Sequence, residues 1–441
     1  MAEMQIFNHA TVLDGTENMQ PQDDMAVVVK DGVITEIVPA AELTVSDGAK
    51  VIDLAGKYLA PGLVNMHAHL CSDGKPKSSG EAADLINKVV ANPIGMAYLR
   101  HSIKKSVKNQ LMSGVTTLRS VGDPGWADID VRNMVNAGKA VGPRMLTSGY
   151  GVTVPHGHGA GLLAKVVETP EEARELVREI ADHGADLVKL FITGGVFDAT
   201  VEGEPGVLRM SLEIAKATCE EAHKLGLHTA AHIESTEGVL VGLKAGVDTI
   251  EHGGELTDEI VAAFKCNGEG KASSLTCTIS PALPFVKLPP EKTHSTHVQS
   301  VNGEIVCNGI VHAAQGALKE GIPVGLGTDS ACPYVTHYDM WREVVYFNLL
   351  VGVTPAFALY SATLRGAELL GVADETGSIT VGKSADMIVL ASNPLDDLKV
   401  LRNVDMVVMH GKVYDNPKTK HISEIDAELD GILDALEREG H

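Results

Sequence analysis

The chain has 441 residues, of which 44% are hydrophobic, and it carries a formal net charge of −22 from 36 basic and 58 acidic residues. This length suits a barrel of about 250 residues or more with an accessory module. The negative charge argues against nucleic acids and anionic membrane surfaces as partners, because both would be repelled.

Both ends of the chain contain short strand-like runs. Residues 26–29, 32–37 and 50–54 are punctuated by Asp-Gly and Ala-Gly turns, and residues 377–415 repeat this style. Such runs are typical of half-buried strands joined by hairpins. We predict that residues 1–60 and 374–415 together form one small β-sandwich domain.

The middle of the chain, residues 61–373, alternates apolar strands with amphipathic helices, which is typical of βα units around a parallel sheet. Thr169 and Pro170 mark one helix start, since a capping residue precedes a proline and an acid follows three residues after the cap. No glycine-rich phosphate turn follows the first strand, which disfavours an open doubly wound sheet. The pattern predicts a (β/α)8 TIM-like barrel, with strands at residues 63–70, 115–121, 144–150, 187–193, 228–234, 248–253, 275–280 and 324–330.

Two segments do not follow this rhythm. Residues 266–303 are largely polar with one short strand, and we expect them to form an active-site loop. Residues 416–441 are charged and amphipathic, and they predict a C-terminal helical extension.

The six cysteines are scattered and form no Cys-x-x-Cys pair. In a chain of this length they indicate reduced thiols of a cytoplasmic protein. The chain has no apolar run of 18 residues, and its first ten residues lack a basic segment followed by an apolar one. A secreted form whose signal peptide has been removed stays an open alternative.

Residues able to bind metal stand at or near the ends of five predicted strands, where TIM barrels place their active sites. His67 and His69 end strand one, and their period-two spacing points both imidazoles into the barrel. A single histidine on a strand is most often a partly buried core residue. A whole set at strand ends is hard to produce by chance, and imidazole is the commonest metal ligand. We therefore predict a metal centre formed by His67, His69, Lys189, His232, His252 and Asp329.

Lys189 lies in the apolar run 187–192, so its ammonium group would be buried. A buried lysine must find a partner or lose its proton, and nearby divalent cations disfavour its charged form further. The free amine is nucleophilic, and carbon dioxide converts it to a carbamate with two oxygens that can bridge two metals. The alternative is a lysine whose ammonium reaches the barrel mouth. We predict that N6-carboxylated Lys189 is a bridging ligand.

This arrangement closely resembles the binuclear site of the amidohydrolase superfamily. The resemblance covers nearly the whole chain and includes residues 58–67, 250–253 and 377–386. Within the superfamily the chain is most similar to prolidase-like dipeptidases and carboxypeptidases and to imidazolonepropionase-related hydrolases. The resemblance implies two divalent metals: one held by His67, His69 and Asp329, and a more exposed one held by His232 and His252, with Lys189 bridging them.

Zinc is the default metal for such ligands, with manganese, cobalt and iron as alternatives. The resemblance implies that a metal-bridging hydroxide, available at neutral pH, attacks the scissile carbonyl. Asp329 is then expected to take the proton of the hydroxide and hand it to the leaving amine.

Substrate contacts are expected from residues after strands three, four and five. Related enzymes place a histidine near the substrate in the loop that here contains His156 and His158, although both are alternatively surface residues. Glu234 stands where prolidase-like enzymes often carry a tyrosine, and an anion there favours a cationic group such as a free amine, unless Glu234 caps a helix near Ser235. The remaining candidates are Gly194 and Gly195, whose backbone would approach the substrate, and the strand-end residues Tyr150 and Arg119.

We expect the protein to cleave an amide bond in dipeptides or N-acyl amino acids. Cyclic amides, lactones or esters on the same site are the alternative, and a non-catalytic scaffold is a more distant one. The expected partner is a small-molecule substrate, without nucleic acid or membrane, and we expect a homo-oligomer.

Overall fold

The structure, a computed structural model, describes residues 4–76 and 86–440. Residues 1–3 and 441 of the predicted terminal segments lie outside the described residues. Within the described part, no helix is long and apolar enough to cross a membrane.

The predicted (β/α)8 barrel is confirmed. Its eight parallel strands alternate with helices, and nearly every residue of these strands is buried because helices cover the outer face and side chains fill the interior. In chain order the barrel strands are Leu63–Ala68, Val115–Ser120, Arg144–Thr147, Leu187–Phe191, His228–Ile233, Thr249–His252, Ser274–Cys277 and Val324–Leu326.

The strands form two hydrogen-bonded sheets, which meet along two seams, one between strands one and eight and the other between strands three and four. Strands one to three form one sheet, and strands four to eight belong to the other. At the first seam Ala68 pairs in parallel with Ser330, just beyond strand eight. At the second, the backbone N–H of Asp186 donates to the carbonyl of Thr147 at 2.8 Å, and Thr147 N–H donates to the Asp186 carboxylate at 2.8 Å.

The helices begin where the sequence predicts. Thr169 accepts a hydrogen bond from Glu172 N–H, and Pro170 occupies the first helical position. The major helices are Pro93–Met112, Ala127–Asn136, Pro170–Asp182, Leu212–Lys224, Thr236–Ala245, Asp258–Lys265, His297–Lys319, Met340–Tyr346, Pro355–Ser361, Leu364–Leu369 and Ser423–Glu439.

Two predicted boundaries need correction. The third strand stops at Thr147 because Gly149 adopts a left-handed φ of 63°, in contact with the Trp126 ring, and a separate strand follows at Gly151–Thr153. The predicted loop 266–303 is largely ordered secondary structure. It contains a barrel strand, the short helices Leu283–Lys287 and Pro290–Thr293, and the first turns of a 23-residue helix.

The terminal segments form one eight-stranded sheet, which confirms the prediction of a shared β-sheet domain, while its description as a sandwich stays a prediction. Strands from the N-terminal part (Met4–Val12, Gln22–Lys30, Val33–Pro39, Lys50–Asp53 and Tyr58–Pro61) join Met387–Leu390, Met406–Met409 and Lys412–Asp415. Tyr58–Pro61 pairs antiparallel with Met387–Leu390, so both ends of the chain meet at one ladder. Residues from both ends share one core that includes Phe7, Val27, Met387 and Val408. The division of the chain at residues 60, 373 and 415 stays a prediction.

Candidate active site

The carboxyl ends of five barrel strands bring the six predicted metal-binding residues together. All six line one cavity with a volume of about 60 Å³ at the mouth of the barrel. Lys189 is completely buried, and the other five side chains are buried as well. The structure thus places His67, His69, Lys189, His232, His252 and Asp329 around a single space.

Three of the imidazole rings are held by a hydrogen-bond partner on Nδ1. The Nδ1 of His67 lies 2.7 Å from Oε2 of Glu251, and that of His69 lies 2.7 Å from the carbonyl oxygen of Gly122. The Nδ1 of His252 lies 2.6 Å from Oγ1 of Thr278. Such contacts orient an imidazole and leave Nε2 free to bind a metal.

Two of the six residues have an uncommon backbone conformation. His252 has a φ of 69° and Asp329 a φ of 55°, both in the left-handed region. Such residues each cost about 1–3 kcal/mol and cluster at functional sites, where the surrounding fold holds them in place. Here the conformation ends strands six and eight with their side chains at the cavity.

Glu251, which the sequence reasoning did not identify, anchors this cluster from inside the barrel. Its Oε2 contacts His67, and its Oε1 accepts a hydrogen bond from Arg119 at 2.6 Å. Burial alone would raise the pKa of Glu251, but Arg119 and His67 lower it well below its usual range. Arg119 also donates to the carbonyl of Met66 at 2.7 Å, so it joins strands one, two and six rather than facing the cavity. The sequence analysis names Arg119 as a candidate for substrate contact, whereas the structure places it in this anchor.

Lys189 fits the expectation of a buried lysine with a perturbed amine. Its Nζ has no hydrogen-bond partner among the described residues and lies 5.2 Å from the centre of the Phe191 ring. Burial lowers the pKa of Lys189 to about 8, although the carboxylates of Glu251 and Asp329 oppose this shift. A substantial fraction of the amine is therefore neutral near pH 8, which is the form that reacts with carbon dioxide.

Electrostatics keep the neighbouring imidazoles neutral and the aspartate ionised. Burial lowers the pKa of His232 and of His252 well below the usual histidine value. Burial alone would raise the pKa of Asp329, but His67 and His69 outweigh it and hold that pKa well below its usual range. Neutral imidazole and ionised carboxylate are the forms that bind metals.

The residues fit divalent metal ions. Lys189 Nζ, His252 Nε2 and Asp329 Oδ1 are buried polar atoms without a hydrogen-bond partner among the described residues. Buried polar atoms normally have partners, and an ion is one explanation for those that do not. Two overlapping groups bring their ligand atoms within 4.8 Å of one another, namely His67 with His252 and Asp329, and His232 with Glu234 and His252. Asp329 Oδ1 also lies 3.3 Å from His69 Nε2.

Four of the seven candidate substrate-contact residues lie at or beside the cavity. His158 stacks on His232 with ring centres 4.3 Å apart, and it hydrogen-bonds to the carboxylate of Asp198. Gly194 places its carbonyl oxygen 3.3 Å from His232 Nε2. A Cβ at Gly195 would lie 3.1 Å from the His158 ring, so glycine there leaves room for the stacked imidazoles.

Glu234 lines the cavity beside His232 and His252. Its Oε2 accepts a hydrogen bond from Val196 N–H at 3.1 Å. Burial raises the pKa of Glu234 to about 8, and nearby Asp329 adds to this shift. The alternative role as a helix cap does not apply, because the side chain of Ser235 caps the following helix.

His156 and Tyr150 do not line this cavity. His156 is an exposed turn residue with a φ of 60°. Tyr150 packs edge-to-face on Trp126 with ring centres 5.1 Å apart. Tyr150 directly follows the turn at Gly149, and His156 lies in the turn after the strand Gly151–Thr153.

The wall opposite the strand ends is apolar, and the sequence reasoning did not identify its residues. It includes Phe197 from the segment after strand four, Phe285 from a short helix after strand seven, and Val306 and Ile310 from the next helix. The rings of Phe197 and Phe285 meet edge-to-face with centres 5.3 Å apart. The cavity therefore combines a polar floor with an apolar cover, as small-molecule sites commonly do.

Comparisons with known proteins agree with this geometry. A model of the amidohydrolase family matches residues 58–414. Among solved structures, a proposed prolidase from Bifidobacterium longum is 37% identical with a TM-score of 0.87, covering 98% of this chain and 99% of that chain. A Xaa-Pro dipeptidase with methionine bound in its active site is 29% identical with a TM-score of 0.80, covering 94% of this chain and 100% of that chain. The imidazolonepropionase of Micrococcus luteus is 28% identical over 395 residues, 83% of this chain and 87% of the relative.

Proposed function

The chain belongs to the amidohydrolase family, and we propose that it is a metal-dependent dipeptidase or carboxypeptidase acting on dipeptides or N-acyl amino acids. Membership confirms the resemblance predicted from the sequence and makes the protein a hydrolase of C–N bonds. The alternative of a non-catalytic scaffold is thereby set aside. Enzymes of this family are generally metal-dependent, which agrees with the candidate metal-binding residues at the barrel mouth.

One observation carries the metal-dependent part of this proposal. Three buried polar atoms, Lys189 Nζ, His252 Nε2 and Asp329 Oδ1, line one cavity without hydrogen-bond partners among the described residues. Leaving such atoms unsatisfied costs about 1–3 kcal/mol each, and more for charged groups. A fold that holds them together, partly through strained backbone at His252 and Asp329, is therefore built around a bound group.

We assign two divalent ions, zinc by default, to this set of residues. His67, His69 and Asp329 would hold one ion, and His232 and His252 the other. The neutral amine of Lys189 would add to carbon dioxide, releasing one proton and leaving a carbamate with an oxygen for each ion. The lowered pKa of Lys189, about 8, favours the neutral amine that this addition needs.

Bound divalent ions would polarise the scissile carbonyl and make a water-derived nucleophile available at neutral pH. The residues around them have separate tasks. Asp329, kept ionised by His67 and His69, accepts a proton at its carboxylate and returns it to the leaving nitrogen. Glu251 fixes the ring of His67 by the 2.7 Å contact with Nδ1. The apolar wall around Phe285 excludes water from the reacting amide.

The choice of a dipeptide or N-acyl amino acid as substrate rests on the relatives. The two solved structures more than 25% identical to this chain that are described above are a proposed prolidase and a Xaa-Pro dipeptidase. The likeness to imidazolonepropionase favours one second candidate, hydrolysis of a cyclic amide on the same residues. Lactones and esters would follow the same steps.

A hydrolysis screen of the metal-loaded protein tests the substrate class. The panel contains dipeptides and N-acyl amino acids varied at both ends, with lactones and cyclic ureides beside them. We expect release of a C-terminal amino acid from linear amides. Turnover of a cyclic substrate with no cleavage of any linear amide would contradict the dipeptidase proposal and favour the second candidate.

A cytoplasmic location and a homo-oligomeric state stay predictions from the sequence. Cell fractionation tests the first, and light scattering coupled to size-exclusion chromatography tests the second.

A further inference from the structure

A second cavity adjoins the reaction cavity. It has a volume of about 740 Å³, whereas the reaction cavity has about 60 Å³. Glu234 and Val306 line both, so the two spaces meet at these residues. Ligand sites in proteins typically occupy about 300–1,000 Å³. The reaction cavity alone therefore has room for little more than the reacting amide, and the rest of a substrate would lie in its neighbour.

The second cavity has a one-sided charge. Among the described residues, its lining contains the carboxyl groups of Glu204, Glu234, Glu237 and Glu255 and the imidazole of His312, but no lysine or arginine. Among the described residues, no basic side chain lies within ion-pair distance of any of these four glutamates. Many other acidic side chains of the molecule do have such a partner; Glu221, for example, lies 2.7 Å from Arg178. The carboxyl groups of these four glutamates therefore remain available to a positively charged ligand.

The remaining lining suits a long basic side chain. Between the carboxylates lie apolar side chains such as Leu208 and Ile305, and glycines such as Gly309 leave space. The aliphatic stem of a lysine or arginine packs on such a surface while its charged end reaches carboxylates or water. Glu234 stands at the entrance, where its Oε2 accepts a hydrogen bond from Val196 N–H at 3.1 Å, so its carboxyl group is oriented before a ligand arrives.

We propose that the second cavity is a substrate subsite for a cationic group, an ammonium or a guanidinium, and that Glu234 is the specificity-determining residue at its entrance. This inference rests on the proposed amide hydrolysis and names its substrate class: amides whose part beyond the scissile bond is positively charged. The net charge of −22 supports the approach of such substrates from solution.

Matched substrates test the inference on the metal-loaded wild-type enzyme. Arginine is compared with citrulline, its neutral near-isostere, and lysine with norleucine, at either position of otherwise identical dipeptides. We expect kcat/KM to be about 10- to 100-fold higher for the cationic member at one of the two positions, because charge-assisted hydrogen bonds contribute about 1.5–3 kcal/mol. Equal values for both members at both positions would overturn the subsite. Failure to cleave any amide, charged or neutral, would instead reject the proposed function.

A space-filling variant tests whether the substrate enters the second cavity. Gly309 lies on the helix His297–Lys319, where an added Cβ meets no atom within 4 Å, so a larger residue is compatible with the fold. We expect Gly309→Phe to raise KM for the preferred cationic dipeptide about tenfold or more, and Gly309→Ala to raise it less. The control is Gly431→Phe, at a glycine of the helix Ser423–Glu439 that also has open space, and its KM should equal that of the wild type. An unchanged KM in Gly309→Phe would exclude the second cavity as the subsite.

The Glu234→Gln variant tests the entrance residue, with bound metal measured beside the kinetics. We expect the preference for arginine over citrulline to fall about tenfold, mainly through KM, with both metals retained. Loss of a metal would place Glu234 among the metal ligands, as its proximity to His232 and His252 permits. That result, or an unchanged preference, would overturn its assignment as a specificity residue.

Discussion

The two walls of the reaction cavity are built in different ways. The polar wall consists of side chains at the ends of barrel strands, where ladder hydrogen bonds and contacts such as His67 with Glu251 fix each group. The apolar wall consists of Phe197 and Phe285 on short helical segments and of Val306 and Ile310 on the helix His297–Lys319, all of which lie between barrel strands. Groups that perform chemistry need rigid support, whereas segments between strands vary at lower cost. Substitutions in the polar wall should therefore change metal binding and turnover, and substitutions in the apolar wall should change substrate affinity.

The largest effect is expected from Asp329→Asn in the polar wall. An amide cannot accept the proton, so we expect kcat to fall about 10²- to 10⁴-fold, while most of the bound metal remains. Steady-state kinetics and elemental analysis of the same sample measure both quantities. Unimpaired hydrolysis by this variant would remove Asp329 from its role as the proton carrier.

Lys189→Ala should weaken metal binding, and turnover should fall as a consequence. Without the bridging carbamate we expect loss of metal occupancy, with partial recovery of metal and activity when a short carboxylate such as acetate is added. Elemental analysis with and without the added acid tests this outcome. Two tightly bound metals in the unsupplemented variant would contradict the bridging assignment.

Glu251→Gln should weaken both the metal site and the fold without touching the substrate. Loss of an orienting partner typically lowers metal affinity about 10- to 100-fold, and leaving Arg119 buried without its anion costs about 3–5 kcal/mol in the free energy of unfolding. Metal titration and urea denaturation measure the two effects. The matched control is Glu259→Gln, which breaks an exposed ion pair with Lys244 and should cost less than about 1 kcal/mol. Equal stability of the two variants would rule out Glu251 as an anchor of the site.

The smallest effect is expected in the apolar wall. Phe285→Ala should raise KM about tenfold, since losing the buried ring removes about 1.5 kcal/mol of contact with the substrate, and it should leave kcat and metal content nearly unchanged. The control is Phe357→Ala, because Phe357 packs on Tyr360 away from the cavity. A large fall in kcat with constant KM in Phe285→Ala would contradict the claim that the polar wall performs the reaction while the apolar wall binds the substrate.

The difference between the polar wall at the strand ends and the apolar wall also explains which parts of the molecule could be predicted from the sequence. Strands have a fixed period and barrels place function at strand ends, so His67, His69 and the other four residues could be placed together from spacing alone; their roles as ligands stay predictions. The barrel and the sheet formed by both termini were predicted correctly for the same reason.

The other residues of the site are brought together by tertiary contacts, which leave no periodic pattern in the sequence. The side chains of Phe285 and Val306 come from helices whose orientation is set by packing, and the predicted loop 266–303 is largely ordered. Strand three ends early because Gly149 turns against Trp126, and Tyr150 packs on the Trp126 ring instead of facing the cavity. Glu251 could not be placed from the strand-end pattern, because it lies one position before the strand-end residue His252 and reaches His67 through a tertiary contact.

The most direct test of the central claim is stepwise metal reconstitution of the wild-type protein. The protein is stripped with a chelator, zinc is added in known equivalents, and bound metal and dipeptide hydrolysis are measured at each step. Our account predicts that the stripped protein is inactive, that it takes up two ions, and that activity rises with their uptake. Full hydrolysis by protein without bound metal would contradict the account.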